Sequence, residues 1–112
     1  MNEWMLVADW PGYETVLLVL GEPVSVGRKN CAINVSHKKV SRQHITVCLE
    51  SVRPPRVVVR DLSTNGAYIR GVRVPTDGYG EKQAEIQLDD ALSLNHPSRE
   101  TVSAMMGDEV CY

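Results

Sequence analysis

Apolar side chains recur at every second position in short runs along this chain. The clearest run places Ile45, Val47 and Leu49 on one side, with Thr46 and Glu50 on the other. This is the pattern of a strand with one buried and one solvated face. No window of a dozen residues keeps a helical period between capping residues. The pattern therefore predicts an all-β chain.

Eleven such strands are predicted, separated by Gly, Pro, Asn and Asp residues that favour turns. Short strands at this spacing are typical of a β-sandwich. Arg70-Gly71 is predicted to close a tight hairpin, and Pro54-Pro55 is predicted to form a bend. The predicted strands are residues 4–8, 14–20, 23–26, 32–35, 43–50, 57–61, 67–70, 72–74, 85–88, 91–94 and 101–105.

Length and composition favour one small domain. The chain has 112 residues, 43% of them hydrophobic, which suffices for a single core without metals or disulfides. Its apolar stretches are short and interrupted, so we expect a soluble, intracellular protein without a transmembrane helix or a signal peptide. We assign residues 1–106 to the domain and residues 107–112 to a flexible acidic tail.

The cysteines do not suggest a metal centre or a disulfide framework. Cys31, Cys48 and Cys111 are odd in number and have neither CxxC spacing nor a set of histidine partners. We therefore predict idle or buried thiols, with no disulfide, no metal and no other cofactor.

Positive charge is concentrated in the middle of the chain. Residues 28–60 contain eight Lys or Arg and one acid, Glu50, hence a net charge of +7, whereas the whole chain carries −2. An acidic remainder would repel a polyanion such as duplex DNA, while the basic segment would attract an anion locally. A compact anionic ligand fits this distribution better.

Two polar clusters in predicted loops have the chemistry to hold such an anion. Gly27 precedes Arg28 at a strand end, where a glycine lets the backbone turn and project a guanidinium suited to phosphate. Ser41 offers a hydroxyl donor, with Lys39 and Arg42 near it. Each feature alone is also common in ordinary surface turns.

A third cluster, residues 61–66 (Asp-Leu-Ser-Thr-Asn-Gly), is a predicted polar turn between two strands. Asn65 and Gly66 suit a bend, but the asparagine amide could also grip the main chain of an extended peptide. His44 begins the strongest strand. A structural role with hydrogen bonds to the backbone is favoured for it, because no paired acid or nucleophile is evident.

Together these clusters resemble the forkhead-associated (FHA) domain family. The resemblance rests on their order: Gly27-Arg28, then residues 41–44 (Ser-Arg-Gln-His), then residues 61–66, then Gly71. With the flanking strands it covers nearly the whole chain. It implies an all-β, FHA-type sandwich of about eleven strands with ligand loops at one end, which binds phosphothreonine in partner proteins.

The resemblance also implies roles for the matched residues. Arg28 and Ser41 would hold the phosphate, and Asn65 would hydrogen-bond the peptide main chain. Ala67 departs from the family, in which a threonine is common, and we expect this to change local structure only. The implied phosphopeptide-binding residues are Arg28, Lys39, Ser41, Arg42, Thr64 and Asn65, and the implied structural residues are Gly27, His44 and Gly66.

Within the family, residues 26–33 and a tryptophan near the amino terminus are similar to the amino-terminal domain of a DNA double-strand-break protein. This similarity implies DNA-damage or cell-cycle signalling in the nucleus. The expected partner is a phosphothreonine-containing protein or peptide, with no small-molecule substrate, no direct nucleic acid and no membrane.

The alternative function is that of a phosphate-independent structural or dimerisation domain that keeps the same sandwich. An enzyme is not expected, because the chain has no Walker loop, nucleophile elbow, metal-ligand set or paired carboxylates. Asp89-Asp90 is instead predicted to lie in a solvated turn.

Overall fold

The computed structural model describes residues 4–9, 15–35, 39–87, 90, 92–94 and 101–106. These residues form eleven strands and no helix, as the alternating pattern predicted. The predicted tail, residues 107–112, lies outside them. The strands are β1 (Trp4–Asp9), β2 (Thr15–Leu18), β3 (Val24–Gly27), β4 (Ile33–Asn34), β5 (Ile45–Val52), β6 (Pro55–Asp61), β7 (Tyr68–Ile69), β8 (Val72–Arg73), β9 (Gln83–Ile86), β10 (Leu92–Ser93) and β11 (Thr101–Met106).

The strands form two sheets that pack as a β-sandwich. One sheet has the order β2-β1-β11-β10-β7-β8, and the other has the order β4-β3-β5-β6-β9. Among the named strands, β3 and β4 pair in parallel and all other neighbours are antiparallel. Within the described parts of the chain, no helix is long and apolar enough to cross a membrane.

The core lies between the sheets and follows the alternation along the strands. Ile45, Val47 and Leu49 of β5 are buried, whereas Thr46 is half-buried and Glu50 is exposed. This confirms the predicted faces. Each side chain of this size stabilises the fold by about 1.5–3 kcal/mol when it is fully buried.

The two predicted turns have different outcomes. Arg70 and Gly71 have φ angles of 50° and 81°, and they join Ile69 to its partner Val72. These left-handed angles are those of a two-residue hairpin turn, so that prediction is confirmed.

The bend at Pro54-Pro55 was predicted one residue too late. Pro55 is already the first residue of β6 and pairs with Val52, so the hairpin loop is Arg53-Pro54. A first strand position tolerates proline, because its missing N–H removes no bond from the interior of the ladder. The hairpin therefore extends two residues beyond the predicted end of β5.

The antiparallel order brings three loops to one end of the second sheet. Because β5 runs antiparallel to both β3 and β6, the last residue of β3, the first of β5 and the last of β6 lie at the same end of the sheet. These residues are Gly27, Ile45 and Asp61. The β3–β4, β4–β5 and β6–β7 loops start or end there, and they contain the three polar clusters.

Candidate functional site

Ser41 connects the three loops. Its carbonyl oxygen accepts the N–H of Arg28 at 2.9 Å, its hydroxyl oxygen accepts the N–H of Thr64 at 3.2 Å, and its own N–H donates to Nδ1 of His44 at 3.0 Å. Because the hydroxyl oxygen is already an acceptor for Thr64, the hydroxyl proton remains to be donated elsewhere. Ser41 thus fixes the spacing of the loops and presents a donor between them.

Two further bonds tie the flanking residues to their neighbours. The N–H of Lys29 donates to the carbonyl of Arg42 at 3.3 Å, and the side-chain amide of Asn65 donates to the carbonyl of Lys39 at 3.0 Å. The structure therefore places all six predicted binding residues on three loops, of which the β4–β5 loop is bonded to both of the others. Ser41 is half-buried and the other five are exposed.

The site is basic, and its guanidinium groups have no carboxylate partner within the described residues. The ion pairs found there join Arg56 to Glu85 and Arg70 to Asp90; neither involves Arg28 or Arg42. Both arginine side chains are exposed, so their guanidinium groups are accessible to an anion from solvent.

Gly27 is required for a different reason from the predicted turn. It is not among the glycines with positive φ. A Cβ at this position would overlap the carbonyl oxygen of Arg42 and would lie 2.9 Å from the amide nitrogen of His44. Absence of a side chain lets the end of β3 approach the β4–β5 loop closely enough for the Arg28–Ser41 bond.

His44 is buried between backbone groups. Because its Nδ1 accepts from Ser41, the ring proton is on Nε2, which donates to the carbonyl of Gly66 at 2.8 Å. Burial lowers the pKa of the imidazole below its usual value of 6.5, and the bond to Gly66 and the nearby Asp61 oppose this shift only in part. The neutral ring thus links the β4–β5 and β6–β7 loops.

Asp61 and Ser63 are structural elements of the site that the sequence analysis did not single out. The buried Asp61 carboxylate accepts from the N–H of Ser63 at 2.8 Å, from the Ser63 hydroxyl, and from the N–H of Ala67 at 3.1 Å. The Ser63 hydroxyl in turn accepts the N–H of Gly66 at 2.8 Å. The Asp-x-Ser spacing, which is typical of an Asx turn, was the available signal.

Arg73 is another residue that the sequence analysis missed. Gly66 has a φ of 99°, and a Cβ there would lie 2.8 Å from Nε and 3.0 Å from Cζ of Arg73. The guanidinium of β8 therefore lies against the backbone of the β6–β7 loop. Nothing near Arg73 in the sequence signals this contact, because it arises from the pairing of Tyr68 with Arg73 across the hairpin.

The model of the FHA domain family matches residues 24–95, which include all three loops. The chain belongs to the FHA domain family. The match covers more than half of the chain, and it confirms the resemblance drawn from the clusters.

One curated relative is similar to this chain in sequence, and two solved structures are similar to it in fold. Nibrin of Danio rerio is 32% identical over 72 residues, which are 63% of this chain and 8% of nibrin. The FHA domain thus spans less than a tenth of that relative. This similarity matches the one noted above to a DNA double-strand-break protein.

The FHA domain of CT664 from Chlamydia trachomatis has a TM-score of 0.74 at 19% identity, over 92% of this chain and 96% of that chain. The N-terminal FHA domain of Rad53p from S. cerevisiae, solved with a phosphothreonine peptide, has a TM-score of 0.73 at 13% identity, over 96% and 95% of the two chains. At identities this low, the TM-scores show a shared fold and nothing further.

Asp90 is not in a solvated turn, so that prediction is wrong for this residue. Its side chain is 8% exposed and lies 3.4 Å from Nε of Arg70, and it accepts the N–H of Gln87 at 2.8 Å. A carboxylate that fills the hydrogen bonds of a turn can be buried at low cost. Asp89 lies outside the described residues.

The cysteines of the FHA domain show no pairing among the described residues. Cys31 and Cys48 are half-buried free thiols, and Cys111 lies outside the described residues. The thiol of Cys31 donates to the carbonyl of Arg42 at 3.0 Å, so it supports the same close approach that Gly27 permits.

Replacing Gly27 with alanine is expected to destabilise the domain by about 2–3 kcal/mol, because backbone atoms must separate to admit the methyl group. Urea denaturation followed by circular dichroism measures this change. Gly78→Ala is the matched control: no atom lies within 4 Å of its added Cβ, so we expect a change within about 0.5 kcal/mol. Equal effects of the two substitutions would contradict the packing role.

Stability is also expected to depend on the protonation of His44. The unfolded chain binds a proton near pH 6.5, whereas the folded imidazole, with its lowered pKa, stays neutral to lower pH. His44 therefore stabilises the fold above pH 6.5, and this contribution is lost as the pH falls from 6.5 through the folded pKa. An NMR titration of the His44 ring tests this directly, and a folded-state pKa at or above 6.5 would refute it.

Proposed function

We propose that this FHA domain binds phosphothreonine-containing proteins or peptides at the three-loop site and catalyses no reaction. The observation that carries the proposal is the placement of Arg28 and Ser41. Their main chains are bonded to each other at 2.9 Å, so an exposed guanidinium and an available hydroxyl proton lie on adjacent, fixed loops. A phosphate dianion, with three strong acceptor oxygens, is the ligand that such donors satisfy.

Asn65 is proposed to bind the main chain of the peptide. One of its amide hydrogens is used by the carbonyl of Lys39, which fixes the plane of the amide and directs its oxygen away from that carbonyl. An oxygen held in this way can accept an N–H from an extended peptide. Thr64, beside it, is exposed and its main-chain N–H is bonded to the Ser41 hydroxyl oxygen, and its side chain is proposed to border the phosphate.

Lys39 and Arg42 are proposed to add positive charge around the phosphate. Both are exposed, and both have carbonyl groups that are bonded to neighbouring loops. Gly27, His44 and Gly66 are proposed to act through the shape of these loops. The Rad53p domain, which shares the fold and was solved with a phosphothreonine peptide, supports the choice of ligand.

Two groups that could suggest an enzyme are better explained as parts of the scaffold. His44 and Asp61 are buried, and their polar atoms are bonded to backbone groups and to Ser63. A general acid or base must reach a substrate proton. We therefore propose that the domain is a binding module. The similarity to nibrin supports the further proposal that this module acts in DNA-damage or cell-cycle signalling in the nucleus.

One observation favours phosphate-independent association as a second function. The exposed side chains of Leu17, Leu20 and Val52 line one groove. Val52 ends β5, whereas the ligand loops adjoin its first residue, about 23 Å away along the strand. An apolar contact there would leave the ligand loops accessible, and a mass that rises with concentration would reveal self-association.

The proposed function predicts that Arg28→Ala weakens binding of a phosphothreonine peptide by at least about 100-fold, or roughly 2.7 kcal/mol, while the fold survives. We would titrate a degenerate phosphothreonine library and its phosphoserine and unphosphorylated counterparts, following fluorescence anisotropy. Arg53→Ala, which removes the same charge from the opposite hairpin, is the matched control and is expected to bind within about twofold of the wild type.

Ser41→Ala should also weaken binding, by at least about tenfold, because the hydrogen bond to the charged phosphate is lost together with the acceptor for the N–H of Thr64. Phosphothreonine should bind more tightly than phosphoserine if its methyl group is buried, by about 1 kcal/mol. A folded wild-type domain that binds none of the phosphopeptides would refute the proposed function.

A further inference from the structure

The β6–β7 loop is held by side chains and not by its own backbone. Among the residues that the structure describes, its backbone-to-backbone bonds lie at its ends, where Leu62 donates to the carbonyl of His44 and Val74 donates to the carbonyl of Ala67. Inside the loop, four N–H groups donate to side-chain oxygens. These bonds run from Ser63 to Asp61 Oδ1, from Thr64 to Ser41 Oγ, from Gly66 to Ser63 Oγ and from Ala67 to Asp61 Oδ2.

Three of these four bonds depend on the carboxylate of Asp61. Two of the N–H groups, those of Ser63 and Ala67, donate to it directly. The third acceptor, the hydroxyl of Ser63, donates its own proton to Asp61 and is thereby oriented toward the N–H of Gly66. A single charged group thus sets the path of the residues on both sides of Thr64 and Asn65.

Asp61 itself belongs to the rigid sheet. It is the last residue of β6 and pairs with Ile45, its N–H donates to the carbonyl of Lys82 at 2.8 Å, and only 4% of its surface is exposed. Its carboxylate therefore has a position fixed by the core and not by the loop. Hydrogen bonds to an ionised acceptor are stronger than neutral ones, which favours a single loop conformation.

We infer that Asp61 is a positioning residue for ligand binding, which sets the orientation of Thr64 and Asn65 without contacting the ligand. This inference rests on the proposed function of the site. The chemistry requires a carboxylate, because donors approach both of its oxygens. In asparagine one oxygen is replaced by an NH₂ group, a donor that would face another N–H donor.

The test is Asp61→Asn, for which we expect phosphothreonine-peptide binding to weaken at least tenfold in a domain that still folds. The matched control is Val57→Ala, which truncates a buried side chain at the other end of the same strand. Both variants are assayed at a temperature at which circular dichroism shows them folded. The control is expected to lose thermal stability but to bind within twofold of the wild type.

A second variant and a second measurement keep the inference testable if Asp61→Asn does not fold. Ser63→Ala removes the acceptor for the N–H of Gly66 and one donor to Asp61 but leaves the carboxylate in place, and we expect it to weaken binding about threefold to tenfold. Amide hydrogen exchange measures how well the hydrogen bonds of the loop protect its N–H groups, and it needs no ligand. In both variants the amide of Gly66 should exchange at least tenfold faster than in the wild type, whereas amides within β5 should lose protection only as far as global stability falls.

The outcomes separate this inference from the proposed function. Wild-type affinity in Asp61→Asn or, if that variant is unfolded, in Ser63→Ala would overturn the positioning role alone, as would unchanged exchange of the loop amides. An equal loss of affinity in Val57→Ala would also overturn it, because the loss would then follow from stability. A wild type that binds no phosphothreonine peptide would overturn both.

Discussion

The loops at one end of this sandwich depend on how closely the backbone after β3 approaches the backbone before β5. Gly27 permits that approach, because any side chain there would overlap the carbonyl of Arg42. The approach allows the N–H of Arg28 to reach the carbonyl of Ser41. The hydroxyl oxygen of Ser41 in turn accepts a hydrogen bond from the N–H of Thr64. The arrangement of the proposed phosphate site therefore depends on the absence of a Cβ atom at Gly27.

Buried polar groups then complete the arrangement. His44 and Asp61 lie at the same end of the sandwich. The polar side-chain atoms of both residues form hydrogen bonds with backbone groups of the loops. Loops of this kind have backbone groups that no neighbouring strand can pair, and each one left unpaired in a buried place would cost about 1–3 kcal/mol. Side-chain acceptors remove that cost and at the same time restrict the loops to one conformation. The result is a set of exposed donors on a fixed base, which is what binding a phosphate with little loss of entropy requires.

Much of the fold could be predicted because it depends on local patterns. The alternation in β5 and the turn at Arg70-Gly71 are local, and both predictions are confirmed. The start of β6 at Pro55 was missed, because proline indicates a bend unless the pairing is known.

In the site, too, features that depend on local sequence could be predicted, whereas those that depend on packing between distant segments could not. Arg28, Ser41 and Asn65 could be selected from the chemistry of their clusters together with the resemblance to the FHA family, and their positions on adjoining loops follow from the strand order. The role of Asp61 was missed, because a charged residue at a strand end ordinarily indicates a solvated position and the Asp-x-Ser spacing indicates a local turn without showing that the carboxylate is buried. The contact of Arg73 with Gly66 and the burial of Asp90 depend on packing between distant segments, which spacing does not encode.

The most direct test of this account is a map of amide chemical-shift changes when a phosphothreonine peptide is added to the ¹⁵N-labelled domain. The account predicts that the largest changes fall on the three loops, at Arg28, Ser41 and Asn65, and that the unphosphorylated peptide produces none. Changes centred on Leu20 and Val52 at the opposite end, or equal changes with the unphosphorylated peptide, would contradict it.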